Sequence, residues 1–494
     1  MRKSGILLPV SSLPSRYGIG TFSREAYEFV DFLRDAGQKL WQILPLGATG
    51  YGDSPYQSFS TFAGNPYYID LEKFIEQGWL TEAECDACDF GGSEEYVDYE
   101  KMYFSRFVLL RRAFEKAFAG GFGENPDYLR FVEENKDWLE DYALFMTVKS
   151  SFDGVAFSEW DEDIRLRKPE ALQAYREKYE KDLAYYRFEQ YQFFTQWKAL
   201  KAYANQNGIE IVGDIPIYVA FDSADTWANP ELFQLDDNGM PSAVAGCPPD
   251  AFSATGQLWG NPLYDWTYHE STGFAWWMKR IACCYELYDI VRIDHFRGFD
   301  EYWAVPYGDA TAERGKWCKG PGYALFETMK RELGEKRVIA EDLGFLTQSV
   351  LDLVEKTGYP GMKVLQFAFE SGPHNDYLPH NYTKNCVVYT GTHDNDTTLG
   401  WYESLPDWAK DFACEYLNIK KEETETGWMF IRAAISSVAD TAIIPLQDYL
   451  CLGKAARINT PSTLGDNWKW RMRKGVCTGA LAERIGRLCR LYGR

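Results

Sequence analysis

Ile290-Val291-Arg292-Ile293-Asp294-His295-Phe296-Arg297-Gly298-Phe299 decides the reading of this chain. A short β-prone run ends in an acid, and a histidine, an arginine and a glycine follow it. Side chains alternate along a strand, so Arg292 and Asp294 share a face. A cation beside a carboxyl group favours its ionised form, so Asp294 is expected to be a carboxylate at a strand end.

Seven more short apolar runs have the same character: residues 5–10, 40–45, 209–214, 338–341, 362–367, 386–390 and 442–446. Helix-like periodicity fills gaps between them at 24–36, 324–333 and 349–357. Strands alternating with helices predict βαβ units and a parallel sheet. Eight of them predict an α/β chain folded as a (β/α)8 TIM barrel with helical and loop insertions. An open doubly wound sheet is the alternative, but no glycine-rich nucleotide fingerprint follows an early strand. The alternation breaks twice. Residues 70–205 are charged, aromatic and helix-like, and read as a mainly helical insertion. Residues 216–280 are rich in Gly, Pro, Asn and Trp, and read as a loop-rich insertion over the active site. One catalytic domain spanning 1–494 is the simplest organisation.

Composition narrows the partners. The 494 residues carry a net charge of −21, which disfavours nucleic acid and anionic membrane. No apolar stretch approaches the ~18 residues of a membrane span. Residues 1–10 lack a secretory pattern, and the eleven cysteines have no disulfide spacing, so a cytoplasmic location is expected. Cys85 and Cys88 form a lone CxxC with no second ligand pair. The unusual feature is 17 Trp, 33 Tyr and 31 Phe, 16% of the chain. Rings with an apolar body and a polar handle serve a core, and they also serve a sugar.

Barrel active sites lie at the C-terminal strand ends. Here those ends carry Asp214, Asp294, Glu341 and the pair His393-Asp394, with Asp448 near the eighth. A single acid after a strand is commonly a helix cap; several on one rim point to chemistry. Anionic neighbours raise the pKa of Glu341 and keep it protonated near neutrality. One ionised and one protonated carboxyl is the division of labour in glycoside cleavage. Asp394 adds a group for sugar hydroxyls and an oxocarbenium-like transition state. Mg²⁺ or Mn²⁺ held by Asp294, Glu341 and Asp394 is the competing chemistry. The loop 51–68, aromatic, hydroxyl-rich and nearly uncharged, suits a sugar and not a phosphate. The loop 248–262 adds Asp250, Phe252 and Trp259.

Taken in order, the strings 5–14, 54–70, 213–219, 292–299, 341–344, 392–397 and 457–461 resemble glycoside hydrolase family 77, the 4-α-glucanotransferases or amylomaltases. The resemblance implies a retaining, double-displacement transfer of α-1,4-glucan segments to the 4-hydroxyl of glucose or another glucan, with no cofactor and no metal. It places the nucleophile at Asp294, the acid/base at Glu341 and the transition-state aspartate at Asp394. It places substrate contacts at Tyr56, Asp214, Arg292, His393 and Asn459, and a mobile acceptor loop from Asp250 to Trp259. The implied partners are α-1,4-glucans and maltooligosaccharides. One departure is Ser462, where the family commonly has glycine. The rivals are an α-glucan hydrolase of the amylase type and a non-catalytic glucan-binding protein.

Overall fold

The computed structural model describes residues 2–50, 52–249, 253–344, 346–419 and 425–494. Eight parallel strands form its centre: β1 (Lys3–Leu7), β2 (Leu40–Gln42), β3 (Glu210–Pro216), β4 (Ile290–Asp294), β5 (Val338–Ala340), β6 (Gly361–Val364), β7 (Cys386–Tyr389) and β8 (Thr441–Pro445). Their order is β6-β7-β8-β1-β2-β3-β4-β5, with every pairing parallel. The two edges then meet. Ala340 N donates to Pro360 O at 3.0 Å, and Met362 N donates to the Asp342 carboxylate at 2.7 Å. Closure disposes of the edge strands, and the (β/α)8 barrel expected from the spacing of the apolar runs is the fold. Each strand is almost wholly buried, which is why it reads as a continuous apolar run. Gly5 marks a close crossing of β1 and β2, since a Cβ there would lie 2.5 Å from that of Leu40.

The first long excursion, between β2 and β3, is built around three helices, Tyr99–Ala119, Pro126–Ser151 and Glu180–Gln206. An aromatic cluster of Phe114, Phe118, Phe122, Tyr128, Phe188 and Tyr191 knits them together. The last helix also fixes the sugar-suited loop. The Gln190 amide accepts from Gly64 N at 2.7 Å and donates to Gly64 O at 2.9 Å, and Gln196 accepts from Asp70 N at 2.7 Å. Gly64 lies so close to the Phe193 ring that a Cβ would clash at 2.1 Å.

This helix carries a buried acid, Glu189, 1% exposed among Tyr142, Tyr185 and Tyr186. Burial pushes its carboxyl up to about 8, against the weaker pull of Tyr185 and Arg111. An unfolded glutamate titrates near 4.3. The folded state therefore binds this proton more tightly, a stabilisation complete below the unfolded value and lost as pH rises toward 8. In urea unfolding, the stability of Glu189→Gln relative to the parent should grow by on the order of 4 kcal/mol between pH 4 and pH 9. A difference independent of pH would contradict the assignment.

The segment 216–280 is not all loop. Strands Ala243–Cys247 and Gln257–Pro262 form a hairpin, and Glu301–Pro306 and Lys316–Lys319 complete a four-stranded antiparallel sheet. Local pattern hides this sheet because β4 separates its two halves in sequence. Among the described residues, no helix is long and apolar enough to cross a membrane.

Candidate functional site

β3 and β4 are neighbours, with Asp214 opposite Arg292 and Pro216 opposite Asp294. Arg292, 3% exposed, grips both acids. Its Nη1 donates to the two Asp214 oxygens at 2.8 and 2.7 Å, and Nη2 lies 2.9 Å from Asp294 Oδ1. Asp214 is fully buried and wholly committed to this pair and to Tyr56. The cation expected beside Asp294 is present, but its net effect differs from the expectation. Burial raises the Asp294 carboxyl, Asp214 and Asp394 add to the rise, and Arg292 offsets only part of it.

Glu341 follows β5 and is held by backbone. His295 has φ of 54°, the left-handed region, which aims its N–H at Glu341 Oε2 at 2.7 Å. Leu343 N donates to Oε1 at 3.0 Å. Peptide bonds zip the two segments together, Phe296 N to Glu341 O and Glu341 N to Ile293 O, both 3.1 Å. Glu341 is raised to about 7, by burial first and by Asp294 second, outweighing Arg292 and the two N–H donors. The direction is the one expected from anionic neighbours, but desolvation is the larger cause.

The third acid arrives after β7. Asp394 Oδ1 accepts from Asn459 Nδ2 at 2.6 Å and lies 3.4 Å from His393 Nε2. Its side chain is 42% exposed, open to the cleft. Tyr56 ties this strand end to β3. Its hydroxyl donates to Asp214 Oδ2 at 2.8 Å and meets His393 Nε2 at 2.9 Å. A phenol has one proton to give, so His393 is assigned the tautomer that donates from Nε2. The two rings stack at 5.2 Å. A continuous network thus joins Tyr56, Asp214, Arg292, Asp294, His393, Asp394 and Asn459.

Three further residues were not legible as site residues. Arg457 donates from Nη2 to Asp394 O and from Nε to Asn459 O, both at 2.7 Å, and so brackets the third acid. Trp468 packs 5.8 Å from Tyr56 and 6.0 Å from His393. The one hint to Arg457 was its spacing two residues before Asn459, and nothing local marks Trp468 among 17 tryptophans. Tyr218, after β3, lies 6.3 Å from Trp259 and 6.4 Å from His295. Trp259 itself stands edge-on to His295 at 4.8 Å. Asp250 and Phe252 lie outside the described residues. Asp448 takes the bland role: it is buried, and its carboxylate accepts from Thr390 Oγ1 at 2.5 Å, Thr398 N at 2.7 Å and Thr398 Oγ1 at 2.7 Å. Ser462 has φ of 61°, a conformation that costs a non-glycine residue about 1 kcal/mol, so the departure from glycine is a local strain.

A buried carboxyl held protonated near neutrality, a second carboxyl paired to arginine and a third open to the cleft suit acid/base and covalent chemistry on an acetal. Comparison with known proteins gives the family. Residues 8–477 match the family model described as 4-alpha-glucanotransferase. The 4-alpha-glucanotransferase of Clostridium butyricum is 52% identical over 98% of this chain and 99% of its own. That of Thermus thermophilus is 47% identical over 96% and 95%. The amylomaltase of Streptococcus agalactiae, solved in complex with acarbose, has a TM-score of 0.97 at 42% identity, covering all of both chains. The Corynebacterium glutamicum amylomaltase shares the fold, with a TM-score of 0.79 at 18% identity over 99% of this chain and 75% of that one.

Proposed function

The chain belongs to the 4-alpha-glucanotransferase family, and from that premise we propose that Asp294, Glu341 and Asp394 carry its chemistry. The enzyme is a transglycosylating 4-alpha-glucanotransferase, and the proposed transfer of α-1,4-glucan segments to an acceptor 4-hydroxyl proceeds with retention. In the proposed assignment, an Asp294 oxygen attacks the anomeric carbon while protonated Glu341 gives its proton to the leaving oxygen. The donor's far segment departs and a glycosyl ester on Asp294 remains. Glu341, now ionised, takes the proton from the acceptor hydroxyl as that oxygen attacks the same carbon from the face the leaving group vacated. Two inversions restore the starting configuration. Asp394, fixed by Asn459 and Arg457, lies ready for the sugar hydroxyls and the developing positive charge.

The observation that carries this reading is the rim itself, where Arg292 grips Asp294, the His295 and Leu343 N–H groups hold Glu341, and burial and Asp294 raise that carboxyl to about 7. A non-catalytic binder has no need of three carboxyl groups gathered on one rim in this way. A dication shared by the three acids would contend with the Arg292 guanidinium already 2.9 Å from Asp294. Maltotriose as sole substrate, with and without EDTA, tests the assignment. Glucose and a ladder of longer maltooligosaccharides, unaffected by EDTA, is the expected result. Glucose and maltose with nothing longer than the substrate would mean hydrolysis, and loss of activity in EDTA would mean a metal.

Transfer wins over hydrolysis when the acceptor side holds sugar better than water. We assign this role to Trp259, an aromatic face beside His295. Trp259→Ala should shift products toward hydrolysis by several-fold, read as free reducing ends per transfer event. An unchanged ratio would count against this role. The substrates assigned are maltooligosaccharides, as the acarbose complex of the S. agalactiae relative supports. A reducing, cytoplasmic setting in carbohydrate metabolism completes the reading, supported by cysteine spacings that fit no disulfide framework.

A further inference from the structure

We infer that Asp448 is a positioning residue for Asp394, a buried carboxylate that clamps both ends of the loop carrying the third acid. The inference rests on the role assigned to Asp394 above. That loop runs from Thr390, the residue after β7, to Thr398, the first residue of the helix Thr398–Ser404. His393 and Asp394 lie at its middle. Asp448 sits on the short helix Leu446–Tyr449 that follows β8, the strand paired with β7. Its Oδ2 accepts from Thr390 Oγ1 at one end of the loop and from Thr398 Oγ1 at the other, and its Oδ1 accepts from Thr398 N. A helix cap would need only the bonds to Thr398. The bond to Thr390 is the one that ties the end of the barrel strand to the start of the helix. All three residues are buried.

The clamp matters because of how the loop is built. Within it, the Asn395 side chain accepts from Thr392 N and Thr392 Oγ1, both at 2.9 Å, which makes the turn around Asp394 internally stiff. A stiff turn moves as a body, so its ends set where the acid stands. From outside, Arg457 and Asn459 hold Asp394 from one short segment, and Gln366 Nε2 donates to Asp396 O at 2.8 Å. Asp448 alone bridges the two ends. Its bonds go to an anionic acceptor and belong to the stronger class. Removing it leaves three buried donors without a partner, a cost the loop escapes only by shifting toward solvent or other acceptors. Asp448 does not reach the cleft, so its effect on the reaction runs through Asp394.

The test is a double-mutant cycle on the full-length enzyme, assayed with maltotriose well below the Tm of every variant. Asp448→Ala should lower kcat by about 10²-fold, the cost of a ~1 Å misplacement, with the KM moved by less than about threefold. In an Asp394→Asn background the same change should cost only about threefold, because the group it positions is already gone. Asp448→Asn still accepts from Thr398 N and can donate to the two hydroxyl oxygens, so kcat should return to within about tenfold of the parent. If Asp448→Ala does not fold, Thr390→Val opens one end of the clamp and takes its place in the cycle, with an expected loss of about tenfold that again vanishes in the Asp394→Asn background. Equal losses in both backgrounds would overturn the proposal, and so would a lowered Tm with kcat unchanged; either would make Asp448 a support of the fold alone. A parent-like kcat for Asp394→Asn would instead overturn the role assigned to Asp394, and the positioning claim with it.

Discussion

Asp294→Asn should lower transfer from maltotriose by about 10⁴-fold or more, the scale seen when a covalent nucleophile is removed. Asparagine has nearly the size and shape of aspartate, so the argument turns on charge and nucleophilicity alone. Arg292 keeps its two bonds to Asp214, and Asp214 keeps Tyr56, so the buried network retains its main anchor. The loss should fall on kcat, with the KM for maltotriose changed little, because the substrate contacts assigned to Tyr56, His393 and Asn459 remain. The neighbouring acid gives a second readout. Asp294 is one cause of the raised Glu341 carboxyl, so the residual activity of Asp294→Asn should show its alkaline limb moved to lower pH. Steady-state kinetics over pH checks both. A residual activity within tenfold of the parent would remove Asp294 from the nucleophile's place.

Glu341→Gln should cost about 10³-fold with maltotriose, in keeping with the 10² to 10⁴ that a positioned proton donor supplies. It should cost far less in the first step with α-maltotriosyl fluoride, because fluoride leaves without a proton. The parent's pH profile follows from the same residue. The acid form is the competent one in the first step, and Glu341 is raised to about 7. The kcat/KM for maltotriose should therefore fall as pH rises through about 7, and the glutamine variant should lack that limb. Equal losses with both donors, or an alkaline limb that survives the substitution, would assign the proton transfer elsewhere.

The parts legible in sequence are those fixed by local pattern. All eight barrel strands lie where short apolar runs stand, because strands buried on both faces need unbroken hydrophobicity. The types of residue at the strand ends were legible too. Their partnerships were not. Tyr56, Asp214 and His393 come from distant parts of the chain, and only the closed barrel makes Tyr56 the link between β3 and β7. The cradle of Glu341 is backbone, an N–H that reaches it because His295 takes a positive φ. Residue types carry no mark of that. Asp448 shows the converse, since it stands at a strand end as the others do and yet pins Thr390 and Thr398. The four-stranded sheet escaped because its strands pair across β4, and small residues such as those of Ala243–Cys247 give little periodic signal.

The most direct test of the account is to catch the covalent intermediate. Glu341→Gln loses the group that activates the acceptor, so with α-maltotriosyl fluoride it should form the glycosyl ester and release it slowly. Intact mass after a rapid acid quench should show one added maltotriosyl group, and peptide mapping should place it on the peptide carrying Asp294. An adduct on any other residue, or none while fluoride is released, would contradict a double displacement through Asp294.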